Sequence, residues 1–300
     1  MDTINEYLQF CESQKRLDKK TLKAYRIDLC QFAEHVTTYE TVTHQQIETY
    51  ISELNKMYKA KTVKRKIASV KAFYRYLEYK ELVAVNPFTR LQIKLREPVT
   101  LPKVIPLTTI ERLLLFMHEQ KNVVTTELKR KVLLRDTAVI ELLFATGIRI
   151  SELCALRPCD VDLNSHNVLI HGKGGKERRI QIGNISIIEQ LQEYERCYRS
   201  EIRKSGYYWV NRCGRRLTEQ SVREMLRKYC SAAAINMHIT PHMFRHSFAT
   251  YLLEADVDIR YIQEMMGHSS ITITEIYTHV AMSKQKHILE VKHPRHNFAI

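Results

Sequence analysis

The sequence predicts a mainly α-helical, α+β protein. It is expected to have an N-terminal four-helix bundle, then a mostly helical domain with a small antiparallel sheet carrying a β-hairpin. Three observations lead there. Apolar residues recur at helical spacing through much of the 300-residue chain. Glycine and proline are scarce, at 8 and 7, whereas the helix-favouring residues Leu, Lys and Glu are plentiful. The clearest strand signal is the alternation of Val168, Ile170, Ile180 and Ile182 about Gly174-Gly175.

Four amphipathic stretches open the chain, at residues 3–16, 21–36, 44–57 and 61–79. In the second, Leu22, Tyr25, Leu29, Phe32 and Val36 share one helical face, and in the third Ile47, Ile51 and Leu54 do the same. Short polar connections separate the four, which predicts a compact bundle. The fourth puts Val63, Ile67, Val70, Tyr74 and Leu77 on one side, with Phe73 at the edge. Lys61, Lys64, Arg65, Lys71 and Arg75 gather opposite them around Ala68, and no acidic residue occurs from Leu54 through Leu77. A solvated helix face normally mixes its signs, so an all-basic face suits a nucleic-acid phosphate backbone. The aromatic residues of this helix are assigned to the core.

The whole chain carries +14, with a pI near 9.4, which points to a polyanionic partner, nucleic acid first. The surplus is shared. Residues 1–95 hold 17 Lys and Arg against 11 Asp and Glu, so both halves are basic. Four of the seven prolines fall within residues 86–106, a segment without helical periodicity that reads as an extended linker. The expected division is a helical DNA-binding domain at 1–95, a linker at 96–106, and a second domain at 107–300 whose last residues, 281–300, form a tail. Such a linker would let two basic domains close around a duplex. The seven cysteines contain no CxxC pair, which fits reduced thiols and neither a disulfide framework nor a cysteine zinc site. No apolar run approaches the ~20 residues of a membrane span, and the N-terminus lacks a signal pattern. The expected location is the cytoplasm, in association with the nucleoid.

In the second domain, helical stretches at 110–120 and 129–145 lead to Gly147, which breaks the helix. Ser151 starts the next, leaving Arg149 at the junction, where it can meet an anion. Residues 161–163, 167–171 and 180–182 read as strands. Gly174-Gly175 is expected to be a two-residue hairpin turn, which would put Lys173 and Lys176 at its tip. The spacing does not match the phosphate loop GxxxxGK[ST], so nucleotide binding is rejected. A hairpin lysine offered to a phosphate remains, either as a backbone contact or as a proton donor. Helices return at 185–204 and 218–233, with a short strand or turn at 207–210.

Residues 240–280 are the stretch around which the chain is organised. His242 and Arg245 lie three apart and share a helix face. Gly267 ends a helix; His268 follows it, and Ile271, Thr274 and Tyr277 then step by three. An arginine, two imidazoles and a phenol suit attack of a tyrosine oxygen on a phosphate diester. His242 and His246 are four apart, but there is no HExxH glutamate and no third ligand, so no metal is expected.

With these motifs in order, ATGIRISEL, GKGGKER, HxxRH, GH and the tyrosine of IYTHV, the chain resembles the tyrosine recombinases, or phage integrase family, along nearly its whole length. In size it looks most like Xer-type recombinases and the short integrases of mobile elements. The resemblance implies that Arg149 and Arg245 clamp the scissile phosphate and that Tyr277 is the nucleophile, forming a 3′-phosphotyrosyl bond and freeing a 5′-hydroxyl. It implies His242 as general base or its helper, Lys173 as the acid for the leaving oxygen (with Lys176 the alternative), His268 as a phosphate hydrogen-bond donor, and Glu152 as a support. The implied partners are double-stranded DNA and a homotetramer, or a heterotetramer with a second recombinase, on synapsed sites. A tail docking on a neighbouring subunit, with a short helix at 284–289, is also implied. No cofactor, metal or ATP is implied. Strand relaxation by a topoisomerase-like monomer, or DNA binding without chemistry, are the competing readings.

Overall fold

The computed structural model describes residues 2–89, 91, 103–172 and 175–267. Two compact units divide the chain, Met1–Thr100 and Leu101–Ile300. The first contains α1 (Asp2–Ser13), α2 (Lys19–Ala33), α3 (His44–Met57) and α4 (Ala60–Tyr79). Local chemistry sets the starts of α2 and α3. The Asp18 carboxylate accepts the Thr21 N–H at 2.9 Å ahead of α2, and Thr43 and Gln46 exchange side-chain-to-backbone bonds ahead of α3. Caps of this kind are worth about 1 kcal/mol each.

The helical spacing selects part of the first unit's core, with Leu22, Tyr25, Val36 and Ile51 only half-buried. Leu29, Phe32, Val63, Val70, Phe73 and Tyr74 are completely buried. The Tyr7 ring lies 5.3 Å from that of Phe73 and 5.1 Å from that of Tyr76. One basic residue departs from the pattern, because Lys66 is only 2% exposed. Asp28 of α2, wholly buried, explains it. Its carboxylate accepts from Lys66 Nζ at 3.3 Å, from Ser69 Oγ at 2.8 Å and from the Arg65 guanidinium. Lys66 also donates to Gln31 and sits over the Tyr58 ring at 4.9 Å. A carboxylate held this deep requires paired cations, so α4 buries a polar strip beside its apolar one.

The second unit contains α5 (Leu107–Val123), α6 (Glu127–Thr146), α7 (Ile150–Leu153), β1 (Val161–Asp162), β2 (Asn167–His171), β3 (Glu177–Gln181), α8 (Ile185–Ser205), α9 (Glu219–Ala232), α10 (Pro241–Glu254) and α11 (Ile259–Met266). Helix α6 is its axis, packing against α5, α8 and α10. From Leu133 to Leu143 nearly every side chain of α6 is buried, as expected of a helix with neighbours on all sides. Each of its fully buried Leu or Ile side chains contributes about 1.5–3 kcal/mol. A polar tie crosses this core: Arg135 Nη2 donates to Asp136 at 2.6 Å, and the Tyr229 hydroxyl of α9 donates to the same carboxylate at 3.0 Å.

The sheet runs β1-β2-β3, antiparallel throughout, with Val168 opposite Ile180 and His171 opposite Glu177. This register corrects the expected hairpin turn. A two-residue turn at Gly174-Gly175 pairs Lys173 with Lys176. Instead the Gly172 N–H donates to the Lys176 carbonyl at 2.6 Å, leaving three residues between the paired ends. Gly175 has φ of 75°, the left-handed geometry that closes three-residue hairpins. The cause is parity. Cross-strand partners share a face, and Val168 and Ile180 are both buried; a two-residue turn would send one strand's apolar set to solvent. Lys173 and Gly174 themselves lie outside the described residues.

Candidate active site

Two glycine caps and one buried arginine assemble the site. Helix α6 ends at Gly147 in the left-handed conformation, φ 57°, and a Cβ there would meet the Phe248 ring at 2.5 Å. Helix α11 ends the same way at Gly267, φ 60°. Arg245 of α10, 5% exposed, donates Nη1 to the Gly147 carbonyl at 2.8 Å and Nη2 to the Met266 carbonyl. Carbonyls at helix C-termini lack intrahelical partners and carry the negative end of the dipole. Arg245 thus fastens two helix ends, one of them two residues before Arg149 in the chain.

Arg149 caps α7 in an extended conformation, φ −69° and ψ 141°. Glu152 reaches back over it, taking the Arg149 N–H at 3.1 Å on Oε2 and Nη1 at 2.7 Å on Oε1. Arg178 of β3 reaches the same carboxylate, with Nη2 at 2.6 Å from Oε2 and Nη1 at 3.2 Å from Oε1. Burial works to raise the Glu152 carboxyl, but hydrogen bonds from Arg178 and Arg149 outweigh it and hold the group below the usual carboxylate range. It is therefore an anion at neutral pH.

His242 stands one turn before Arg245 on the exposed side of α10. Partial burial of its ring lowers its pKa first, the charges of Arg245, Arg223 and Arg149 lower it further, and Glu219 works against them. The neutral imidazole, which can accept a proton, is thereby favoured. His246, a turn further along, is lowered by burial and then by His242 and Arg245. An open cleft of about 1090 Å³ runs beside Arg149 and is lined also by Glu152, His171, Lys176, Arg178 and Gly267.

Of the residues expected to act, the fold brings Arg149, His242 and Arg245 together, with Lys176 on the wall of the adjoining cleft. Lys173, His268 and Tyr277 lie outside the described residues, as do the helix expected at 284–289 and the rest of the tail. In the first unit, Lys61, Lys64, Arg65 and Arg75 are exposed on α4, and Lys71 is half-buried. Arg65 departs from a purely solvent-facing role, since its guanidinium also pairs with Asp28. Sequence reasoning missed Arg223, whose charge reaches His242 and which pairs with Glu219 at 3.0 Å, and it missed Arg178. Parity marks Arg178: it stands two residues before buried Ile180 on β3 and so faces inward with it, whereas Arg179 faces out. Among the described residues no three His, Cys, Asp or Glu side chains are grouped to hold a metal ion. No helix there is long and apolar enough to cross a membrane.

Residues 106–284 match the Phage integrase family, and residues 4–81 match the Phage integrase N-terminal SAM-like domain. A tyrosine recombinase of Agathobacter rectalis is 54% identical over 297 residues, covering 98% of this chain and 97% of the relative. Tyrosine recombinase XerD of Listeria innocua is 33% identical, covering 98% of this chain and 99% of the relative. Among solved structures, XerH recombinase bound to a palindromic difH substrate superposes with a TM-score of 0.77 at 20% identity, over 94% of this chain and 83% of that one. XerA recombinase matches with a TM-score of 0.54 at 27% identity, over 98% and 100% of the two chains. The chain belongs to the phage integrase family of tyrosine recombinases.

Proposed function

We propose that this protein is a site-specific DNA recombinase that cuts and rejoins duplex strands through a 3′-phosphotyrosyl intermediate and a Holliday junction. The observation that carries this reading is geometric: Arg245 Nη1 holds the Gly147 carbonyl at 2.8 Å, two residues before Arg149, and His242 stands one turn before Arg245 on the same helix. Two arginines beside a proton acceptor suit a phosphodiester whose charge grows in the transition state. Arg149 and Arg245 clamp the non-bridging oxygens, and loss of either costs roughly 10²–10³ in rate. The Tyr277 oxygen attacks phosphorus, and its proton passes to His242. The bond from phosphorus to the 5′-oxygen breaks, and that oxygen takes a proton from Lys173, or from Lys176 on the same hairpin. His268 donates a hydrogen bond to the phosphate. The new tyrosyl ester conserves the energy of the broken bond, so a 5′-hydroxyl from a second duplex can reverse the step without ATP.

The division of labour assigns residues 1–95 to DNA binding, with Lys61, Lys64, Arg65, Lys71 and Arg75 meeting phosphates. It assigns 96–106 to a linker and 107–300 to catalysis. Strand exchange requires four subunits on two synapsed sites, as a homotetramer or as a heterotetramer with a second recombinase, and residues 281–300 connect neighbours. The DNA partner places the protein on the nucleoid. The XerH structure, of similar fold, supports this reading, because it is a post-cleavage complex with a palindromic difH substrate. A nicked duplex that loses a short fragment after cleavage tests it. In EDTA and without ATP, an active recombinase accumulates a covalent protein–DNA adduct on a denaturing gel. Tight DNA binding with no adduct on any duplex carrying the cognate site contradicts it.

A further inference from the structure

We infer that Arg178 is a positioning residue that keeps the charge of Arg149 available to the scissile phosphate by sharing the Glu152 carboxylate. The inference rests on the reaction proposed above. Arg178 engages both Glu152 oxygens in a fork, through Nη2 at 2.6 Å and Nη1 at 3.2 Å, while the Arg149 side chain engages one, at 2.7 Å. The third edge of the Arg178 guanidinium is used as well: Nε donates to the Met265 carbonyl at 2.8 Å. Its side chain is 8% exposed, against 31% for Arg149. One arginine is therefore locked in the protein, and the other is open to the cleft.

Charge explains why two arginines are needed for one carboxylate. Arg149, Arg178 and Glu152 together carry a net +1. Without Arg178, Glu152 has Arg149 as its strong partner, the pair is neutral, and the attraction for a phosphate dianion-like transition state falls. Arg178 also joins three elements. It leaves β3 at the hairpin, meets α7 at Glu152, and meets the end of α11 at Met265. Gly267 makes room for this crossing, because a Cβ there would lie 3.0 Å from both Cδ and Nη1 of Arg178.

The test compares Arg178→Met with the double variant Glu152→Gln, Arg178→Met in full-length protein. Glutamine keeps an oxygen for the Arg149 N–H but removes the competing charge. Cleavage is timed on nicked duplexes carrying either the ordinary scissile phosphate or an uncharged methylphosphonate in its place. Arg178→Met is expected to cut the ordinary phosphate about 100-fold more slowly than wild type, the scale of a misplaced catalytic group. The double variant is expected to regain at least about tenfold of that loss. On the methylphosphonate, the deficit of the single variant is expected to shrink to within about tenfold. If the single variant folds too poorly to bind DNA, the double variant still decides: binding and faster cleavage support the inference. A double variant as slow as the single one on both substrates makes Arg178 a packing residue and overturns it, as does a single variant at the wild-type rate. Wild-type protein that gives no adduct at all overturns the reaction itself, which is a separate failure.

Discussion

Replacing Asp28 by alanine should be among the most destabilising single changes in the first unit. Asp28 is wholly buried and accepts from Arg65, Lys66 and Ser69. Arg65, with a side chain 47% exposed, can turn to water and loses little. Ser69 keeps its bond to the Arg65 carbonyl at 3.1 Å. Lys66 keeps the Gln31 amide oxygen and the Tyr58 ring but loses its carboxylate, and its side chain, 3% exposed, cannot turn to water. Leaving a buried charge unpaired costs about 3–5 kcal/mol, a large part of the roughly 5–15 kcal/mol that a domain possesses. Removing both charges, in Asp28→Leu with Lys66→Met, should cost less than about 1 kcal/mol or stabilise. Hydrogen exchange of α2 and α4 amides reads the first unit directly. The fluorescence of Trp209, the single tryptophan of the chain, lies in the second unit and should keep its urea midpoint. A loss below about 1 kcal/mol in Asp28→Ala, or an equal loss in the double variant, refutes the reasoning.

Two further outcomes follow from the second unit. His171 sits between Asp160 at 2.9 Å and Glu177 at 3.0 Å, and the hydrogen bond to Asp160 is the chief cause of its raised pKa. Its contribution is fully present below the unfolded value of about 6.5 and is lost as pH rises through the higher folded value. An NMR titration should put the His171 midpoint above about 6.5 and return it toward that value in Asp160→Asn; no movement in the variant contradicts the assignment. Gly267→Ala should cost about 1–2 kcal/mol for its left-handed backbone and should slow cleavage by displacing Arg178. Gly183→Ala, with nothing within 4 Å of the new Cβ, should change neither stability nor rate, and equal effects at the two glycines would contradict the contact with Arg178.

How much could be read from residues alone varies with the physics involved. Helix α3 begins at His44, where its amphipathic spacing puts it, and the Thr43–Gln46 cap that starts it is a local interaction. Gly147 and Gly267 end helices as read, since the left-handed conformation is a property of the residue. The hairpin turn was misread by favouring local Gly-Gly chemistry over strand parity. That parity was already present in Val168, Ile170, Ile180 and Ile182, and it also marks Arg178 as inward-facing. Lys66 was beyond reach, because its burial depends on Asp28 from another helix, 38 residues away. Arg223 was hidden because its charge acts on His242 from a different helix, which residue spacing alone does not reveal. Single arginines and histidines carry no signal of convergence, so the grouping of Arg149, His242 and Arg245 came from motif order and from the fold.

The nucleophile is the claim on which the account depends. The chain has 16 tyrosines, and only one of them should carry DNA after cleavage of a nicked duplex. The trapped adduct is digested with nuclease and protease, and the phosphonucleotide-bearing peptide is sequenced by mass spectrometry, with Tyr277→Phe run in parallel. The account predicts a nucleotide on Tyr277 and no adduct in the variant, with DNA binding retained. A modified residue other than Tyr277, or an adduct that persists in Tyr277→Phe, would contradict it.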